Sequence, residues 1–301
     1  MRALFGSAKT RSALQESSLP SAVGLELPEV SPVHSAFPDV VNGLYDVAEL
    51  AIVAFLQALD AGRPVTLLPV TLLGRFQHHT LVTADPTGQI TAESLSGKRM
   101  GVRSWSQTTA VWVRGFLADD YGVDTGSVDW VVYENSHLAT LSEPPYVTRG
   151  AAGSRLGQDL LSGAVDAAIM GNDLPDDKTI RTVLPDPARA AALWYGQSGA
   201  IPLNHMLVAR DDYVAQNPAL IAEVIRAVAG ALPGVPRISS AVNFYPVGFD
   251  ALEPSLELAG RYAYEQGLIS RPISAAEVRR KTEKLFGADL GVLPAAPSGT
   301  S

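Results

Sequence analysis

Glu49, His78 and His205 are the side chains of this sequence best suited to moving a proton. Glu49 stands in "YDVAELAI", with Asp46, where a short strand gives way to an apolar helix. A carboxylate half-buried at such a junction has a raised pKa and can serve as a general acid or base. The same position also suits a helix-start carboxylate or the partner of a nearby arginine. "GRFQHHTL" offers Arg75, His78 and His79. Read as a strand, it points the adjacent histidines to opposite faces, so the two do not share one metal and one of them faces a ligand. His205 closes "WYGQSGAIPLNH" (194–205), which reads as a loop ahead of a strand because of its two glycines, Pro202 and Asn204. No HExxH pattern surrounds His205, and no metal is expected. His34 and His137 are isolated and read as structural or exposed.

A second group of residues suits an anion. In "LSGKRMGVRSWSQTTAVWVRGFLADDYGV" (95–123), Arg103, Ser104, Ser106, Gln107, Thr108 and Thr109 fall between a strand and a helix. Ser106 is a good N-cap residue. The first turn, 107–110, presents free backbone N–H groups, and the helix dipole favours negative charge there. Arg75 or Arg103 would offset charge. The expected ligand is a small carboxylate. Plain capping of a helix that binds nothing accounts for the same residues. Arg114, further along, reads as a surface or ion-pair residue.

These groups need elements to hold them. "RALFG" and "GLELPEV" read as strands, and "TRSALQ" as the start of a helix. "LYDVAEL" reads as a strand feeding the helix "AIVAFLQALDAG", with Gly62 as its stop. "VTLLPVTLL", "RMGVRS", "VDWVVYE", "VDAAIM" and "HMLVAR" are further strands. Helices are expected over 106–121, in "GQDLLSG", over 218–232 and through the apolar-periodic segments that follow. Gly122 and Gly163 read as helix stops. Within 106–121, Val113, Phe116, Leu117 and Tyr121 share one face. The last residues, "GVLPAAPSGTS", read as frayed. Alternation of strand and helix predicts parallel sheets covered by helices. Two lobes follow from the number of strands: 1–82 with 208–301, around an inserted 83–207.

Composition narrows the function. The chain has 301 residues, 47% hydrophobic and 18% charged, which is a folded globular composition. A net charge of −8 without basic runs argues against nucleic acid. The absence of cysteine excludes disulfides, thiolate metal sites and a cysteine nucleophile. No apolar run is long enough to span a bilayer, and the opening residues carry neither a signal-peptide core nor a cysteine for lipidation. The expectation is a cytoplasmic protein with no membrane partner. Homo-oligomerisation is left open. P-loop, GxGxxG and GxSxG patterns are missing, so nucleotide and serine-hydrolase readings lack their marks.

The stretch 95–124, with "LYDVAELAIVAFLQALDAG", "GRFQHH", "LLSGAVDAAIM", "IPLNHMLVARDDYVAQNP" and "GRYAYEQGLISRPIS", resembles the 4,5-dihydroxyphthalate decarboxylase family. The likeness runs through most of the chain. "AVWVRG" followed by "DDYGVD" is its most specific part. "LSGKRMGV" and "LSGAVDAAI" are generic to binding-protein folds. The resemblance implies an α/β, two-lobed type 2 periplasmic-binding-protein-like fold with the ligand cleft between lobes. It also implies decarboxylation without a cofactor, a phenolic ring serving as its own electron sink. Glu49, His78 or His205 would supply the proton, and Asn204 would line the site. Gln77-His78-His79 and Gly196-Gln197-Ser198-Gly199 lack the cationic residues of the family pattern, and Ser104-Trp105-Ser106-Gln107 lacks its acidic one, so the substrate has changed. The same fold also admits a solute-binding protein for a small organic anion. Further alternatives are a chorismate-type dehydratase or ring-forming lyase, and a degenerate member used as a regulator.

Overall fold

The computed structural model describes residues 1–85, 87–136, 138, 143–171, 174–233 and 242–287. His137 and the segment read as frayed lie outside the described residues. The first elements are β1 (Ala3–Leu4), α1 (Ala8–Glu16), α2 (Leu19–Ala22), α3 (Phe37–Val41), β2 (Val47–Ala51), α4 (Ile52–Asp60) and β3 (Val65–Gly74). Next come β4 (Leu81–Thr83), β5 (Arg99–Val102), α5 (Thr108–Tyr121), β6 (Asp129–Val132), β7 (Val147–Arg149), α6 (Leu156–Ser162), β8 (Ala167–Ile169), β9 (Arg181–Thr182) and α7 (Pro187–Ser198). Then follow β10 (Leu203–Arg210), α8 (Asp211–Gln216), α9 (Pro218–Ala231), α10 (Phe249–Glu265) and α11 (Ala275–Phe286).

The chain divides into two units. One holds Met1–Arg75, Leu203–Tyr264 and the residues from Ile269 on; the other holds Phe76–Pro202 with Glu265–Leu268. The crossings thus lie at 75/76 and 202/203, a few residues before the places read from sequence. Strand pairing explains the shift. β4 pairs with β8 and β9 of the second unit, and β10 already pairs with β3 at Leu203.

The first unit's sheet has the order β1-β2-β10-β3. β1 and β2 are parallel, and β10 runs antiparallel to both its neighbours. This corrects the expectation of an all-parallel sheet: the returning strand inserts between β2 and β3. β2 is buried along its whole length, as is α4 from Ile52 to Ala58. Phe5, Leu14, Val47, Leu68, Leu207 and Ile225 pack in one core, each contributing about 1.5–3 kcal/mol by burial. "GLELPEV" forms one bridge rather than a strand. Glu26 exchanges backbone hydrogen bonds with Met1 and Ala3, and Pro28 has no N–H to extend the ladder. Pro69 is tolerated in β3 because β3 is an edge strand. The register against β10 slips there: Met206 opposes Thr71, and Leu207 opposes Leu68.

The second unit's sheet has the order β7-β6-β5-β8-β4-β9. The first four strands are parallel, and β4 is antiparallel to its neighbours. Gly101 in β5 lets α6 approach closely, since a Cβ there would meet the Leu156 Cδ1 at 2.3 Å. The carboxyl ends of β6, β5 and β8 and the start of β4 form one edge. Met170 N–H donates to Thr80 O across that edge at 2.8 Å. Open α/β sheets bind ligands at such an edge.

Candidate functional site

The bend after β5 leaves the sheet at this edge. Arg103 O accepts from the N–H groups of Tyr133 and Glu134 at 3.0 and 2.7 Å, which ties the bend to the end of β6. The helix begins two residues later than Ser106. Gln107 is the N-cap and makes no side-chain capping bond, which corrects the reading of Ser106 as the cap. Ser106 Oγ, Ser104 Oγ, Gln107 Oε1, Thr108 Oγ1 and Trp105 Nε1 are all buried without a hydrogen-bond partner among the described residues. Ser104 is only 1% exposed. A buried polar atom left unpaired costs about 1–3 kcal/mol, so five on one bend make it the candidate ligand-contacting element. Thr109, also buried, is the second residue of the same helix.

α5 is buried on every side from Thr108 to Leu117, not along one face. Arg114 is therefore fully buried, which corrects its reading as a surface or ion-pair residue. Its Nε donates to Gln266 Oε1 at 2.7 Å and its Nη2 to Trp105 O at 2.6 Å. The guanidinium lies 3.7 Å over the Trp105 ring. Burial pushes its pKa down to about 9, with the Tyr146 phenol acting the other way, so it remains charged at neutral pH. The run "AVWVRGFL" is the sequence signal for this burial, because it leaves no polar face for an arginine to occupy.

Arg103 lines a groove of 610 Å³ with Tyr133, Glu134, Arg155, Leu156 and Met170, residues at or beside the same edge. Arg103 Nε lies 3.4 Å from Glu134 Oε2, close enough for an ion pair but outside hydrogen-bond geometry. The Tyr133 hydroxyl donates to Asp159 Oδ2 at 2.7 Å. Leu156 and Met170 give the groove an apolar side.

His78 and His79 lie on a 3-10 turn just before β4, not on a strand. The outcome of the strand reading survives, since His78 is buried and His79 exposed. His78 stacks on Phe116 at 4.1 Å and 5°, with Phe76 and Trp194 edge-on. Neither ring nitrogen has a hydrogen-bond partner among the described residues. Burial, and to a lesser degree the charge of His79, holds its pKa down to about 4, so His78 is neutral at pH 7. Trp194 and Tyr195 belong to α7, which runs to Ser198 and ends at Gly199 in the left-handed conformation. The loop expected over 194–205 is thus shortened to the four residues 199–202, between the end of α7 and the start of β10.

Glu49 and His205 come together in the first unit. β2 and β10 pair so that Ala51 faces His205 and Leu207 faces Glu49. His205 Nδ1 lies 2.5 Å from Glu49 Oε1, and Gly6 N–H donates to Glu49 Oε2 at 2.8 Å. Phe37 stands edge-on to the imidazole at 5.4 Å. Burial pushes the carboxyl of Glu49 up, but the hydrogen bond and charge of His205, with the Gly6 N–H, outweigh it and hold the pKa below the ordinary value. This corrects the raised value read from burial alone. An ionised Glu49 makes Nδ1 the donor and leaves Nε2 of His205 to take or give a proton. Asp46 is structural, accepting from Arg2 N–H and pairing with Arg210. Asn204 is buried at the start of β10, and burial lowers the pKa of Arg75 at the end of β3. His34 is half-buried in a 3-10 turn. Among the described residues no group of three His, Asp or Glu is placed to hold a metal ion.

Two curated proteins are similar in sequence to this chain. The 4,5-dihydroxyphthalate decarboxylase of Comamonas testosteroni is 29% identical over 196 residues, 61% of this chain and 59% of the relative. That of Pseudomonas putida is 31% identical over 164 residues, 50% of this chain and 63% of the relative. The chain is similar in sequence to these 4,5-dihydroxyphthalate decarboxylases. It spans about three fifths of the length of these decarboxylases. No family model matches the chain. Among solved structures, the periplasmic aliphatic sulphonate binding protein SsuA of Escherichia coli aligns with a TM-score of 0.57 at 14% identity, covering 95% of this chain and 98% of that one. The alkanesulfonate-binding protein SsuA of Xanthomonas axonopodis pv. citri, bound to MOPS, gives 0.54 at 13% identity, covering 92% and 96%. The decarboxylase-like sequence thus carries the α/β fold of periplasmic binding proteins. Among the described residues no helix is long and apolar enough to cross a membrane.

Proposed function

We propose that this protein is a cytoplasmic carbon–carbon lyase that decarboxylates a small hydroxylated aromatic or enol carboxylate without a cofactor. The observation that carries the proposal is the Glu49–His205 pair, a buried carboxylate against a half-buried imidazole. Capturing a carboxylate does not call for a carboxylate tied to an imidazole, whereas delivering a proton does. The decarboxylase relatives support the same reaction class.

In this reading Ser104, Ser106, Thr108 and Thr109, with the first N–H groups of α5, hold a carboxylate. Gln107, Asn204, Arg75 and Arg103 contact its polar groups and offset charge. The ring carbon that bears the leaving carboxylate takes a proton from Nε2 of the His205 imidazolium, the hydroxyl supplying electron density through the ring. The bond to the carboxylate then breaks, CO2 departs, and its electron pair returns to the ring, which regains its aromaticity. Glu49 fixes the imidazole and balances its charge. A dicarboxylate, such as the phthalate in the relatives' name, would be held by one carboxylate and lose the other. His78, neutral at pH 7, offers a hydrogen bond to a substrate hydroxyl more readily than a proton. Replacing His205 by Ala or Glu49 by Gln is expected to lower turnover by ~10²-fold or more, the scale of a lost general acid. Circular dichroism should show the fold intact. Full turnover in both variants would remove the pair from the mechanism.

The similarity to SsuA favours a second reading, a non-catalytic receptor for a small organic anion. Native mass spectrometry separates the two: a retained nutrient anion supports the receptor, and a retained aromatic acid supports the lyase.

A further inference from the structure

Arg114 is a buried cation with no acidic partner among the described residues. Its hydrogen bonds go to an amide oxygen and a backbone carbonyl, and its Nη1 is buried and unpartnered. Burying a guanidinium without a counter-charge is costly, and such a charge is retained where an anion completes it. The nearest polar structure is the bend. Arg114 donates to Trp105 O, and the peptide unit that carries this oxygen ends in the N–H of Ser106. Drawing on the carbonyl polarises the unit and strengthens that N–H as a donor, an effect enlarged by the low local dielectric. The unpaired Ser104, Ser106 and Thr108 hydroxyls lie on the same bend. Donating hydroxyls and amides alone would favour a carboxylate over a neutral carbonyl only modestly.

We propose that Arg114 is the positioning residue that makes the bend select a carboxylate over a neutral group, acting through the Trp105–Ser106 peptide, with the ligand's charge completing its own. This rests on the reading that the bend holds the carboxylate of the substrate. Gln266 has the supporting role of fixing the guanidinium: it accepts from Nε and donates to Val111 O at 2.9 Å. The selectivity therefore resides in a residue nine positions from Trp105, whose carbonyl it holds.

The test uses 3,4-dihydroxybenzoate and its uncharged amide as probes, measured by calorimetry on the whole chain. The wild type should prefer the acid. Arg114→Met should weaken acid binding by ~100-fold, the scale of charge-assisted hydrogen bonds, while amide binding changes by less than ~3-fold. If the Met variant fails to fold, Arg114→Lys serves in its place. It keeps the charge but cannot reach both Gln266 and Trp105 O, so acid binding should fall by ~10-fold with the amide unchanged. Equal loss for acid and amide would reduce Arg114 to a packing role and overturn the inference, as would unchanged acid binding. A wild type that binds neither probe would remove the carboxylate reading of the bend and the inference with it. Acid binding that survives Arg114→Met removes the inference alone.

Discussion

Glu49 sits in the middle of a buried strand, where a carboxylate is stable only if its charge is met. His205 and the Gly6 N–H meet it, and this is why burial does not leave the carboxyl neutral. His78 is the contrasting case, a buried imidazole with aromatic neighbours and no acid beside it. Its folded-state pKa of about 4 lies below the ordinary 6.5, so the unfolded chain takes the proton first as pH falls. Stability from this group is complete above pH 6.5 and is lost as pH falls towards 4, by roughly 2–4 kcal/mol. The depressed pKa of Glu49 has the same sign, but its stabilisation is lost below 4.5. Between pH 6.5 and 4.5 the loss from His78 thus precedes that from Glu49. His78→Phe keeps the stack on Phe116 and should flatten the pH dependence of the urea midpoint in that window. An unchanged slope would mean that His78 is not the group being titrated.

At the scale of the element, the N-terminus of α5 combines a dipole with the Ser106 and Thr108 hydroxyls, which have no partner among the described residues, and with the buried Thr109. Thr108→Val with Thr109→Val keeps shape and helix start but removes two donors. Binding of an aromatic acid should weaken by ~1–3 kcal/mol in calorimetry, and binding of the matching amide by a similar amount. No change in either would leave these threonines as packing residues. Much of this element was readable in advance. The turn signal before β5, the polar run and Gly122 placed a helix here, and all but its first two residues lie as read, although its first turn is buried. Ser106 was misread because capping propensity is local, whereas the bend is set by pairing of Arg103 O with the end of β6. Arg114 was misread because an arginine is ordinarily a surface residue. α7 was missed because Gly196 and Gly199 signal a loop, yet only Gly199 adopts a left-handed conformation; Gly196 lies inside the helix.

At the scale of the whole molecule, strand and helix alternation was enough to predict two α/β units and a chain that returns to the first. The antiparallel course of β10 was not readable. Its apolar run fits either direction, and only the order β2-β10-β3 fixes it. The pairing of Glu49 with His205 was hidden for the same reason, since 156 residues separate them and the register of β10 brings them together. Likeness to binding proteins and to decarboxylases leaves one decision between capture and chemistry. The direct measurement is release of labelled CO2 from carboxyl-labelled hydroxylated aromatic acids, 4,5-dihydroxyphthalate among them, by the wild type and by His205→Ala. The account predicts CO2 from at least one acid, with the ring carbon acquiring one solvent proton, and a rate ~10²-fold or more lower in the variant. Tight binding of an acid by both proteins, with no CO2 from any member of the panel, would contradict it.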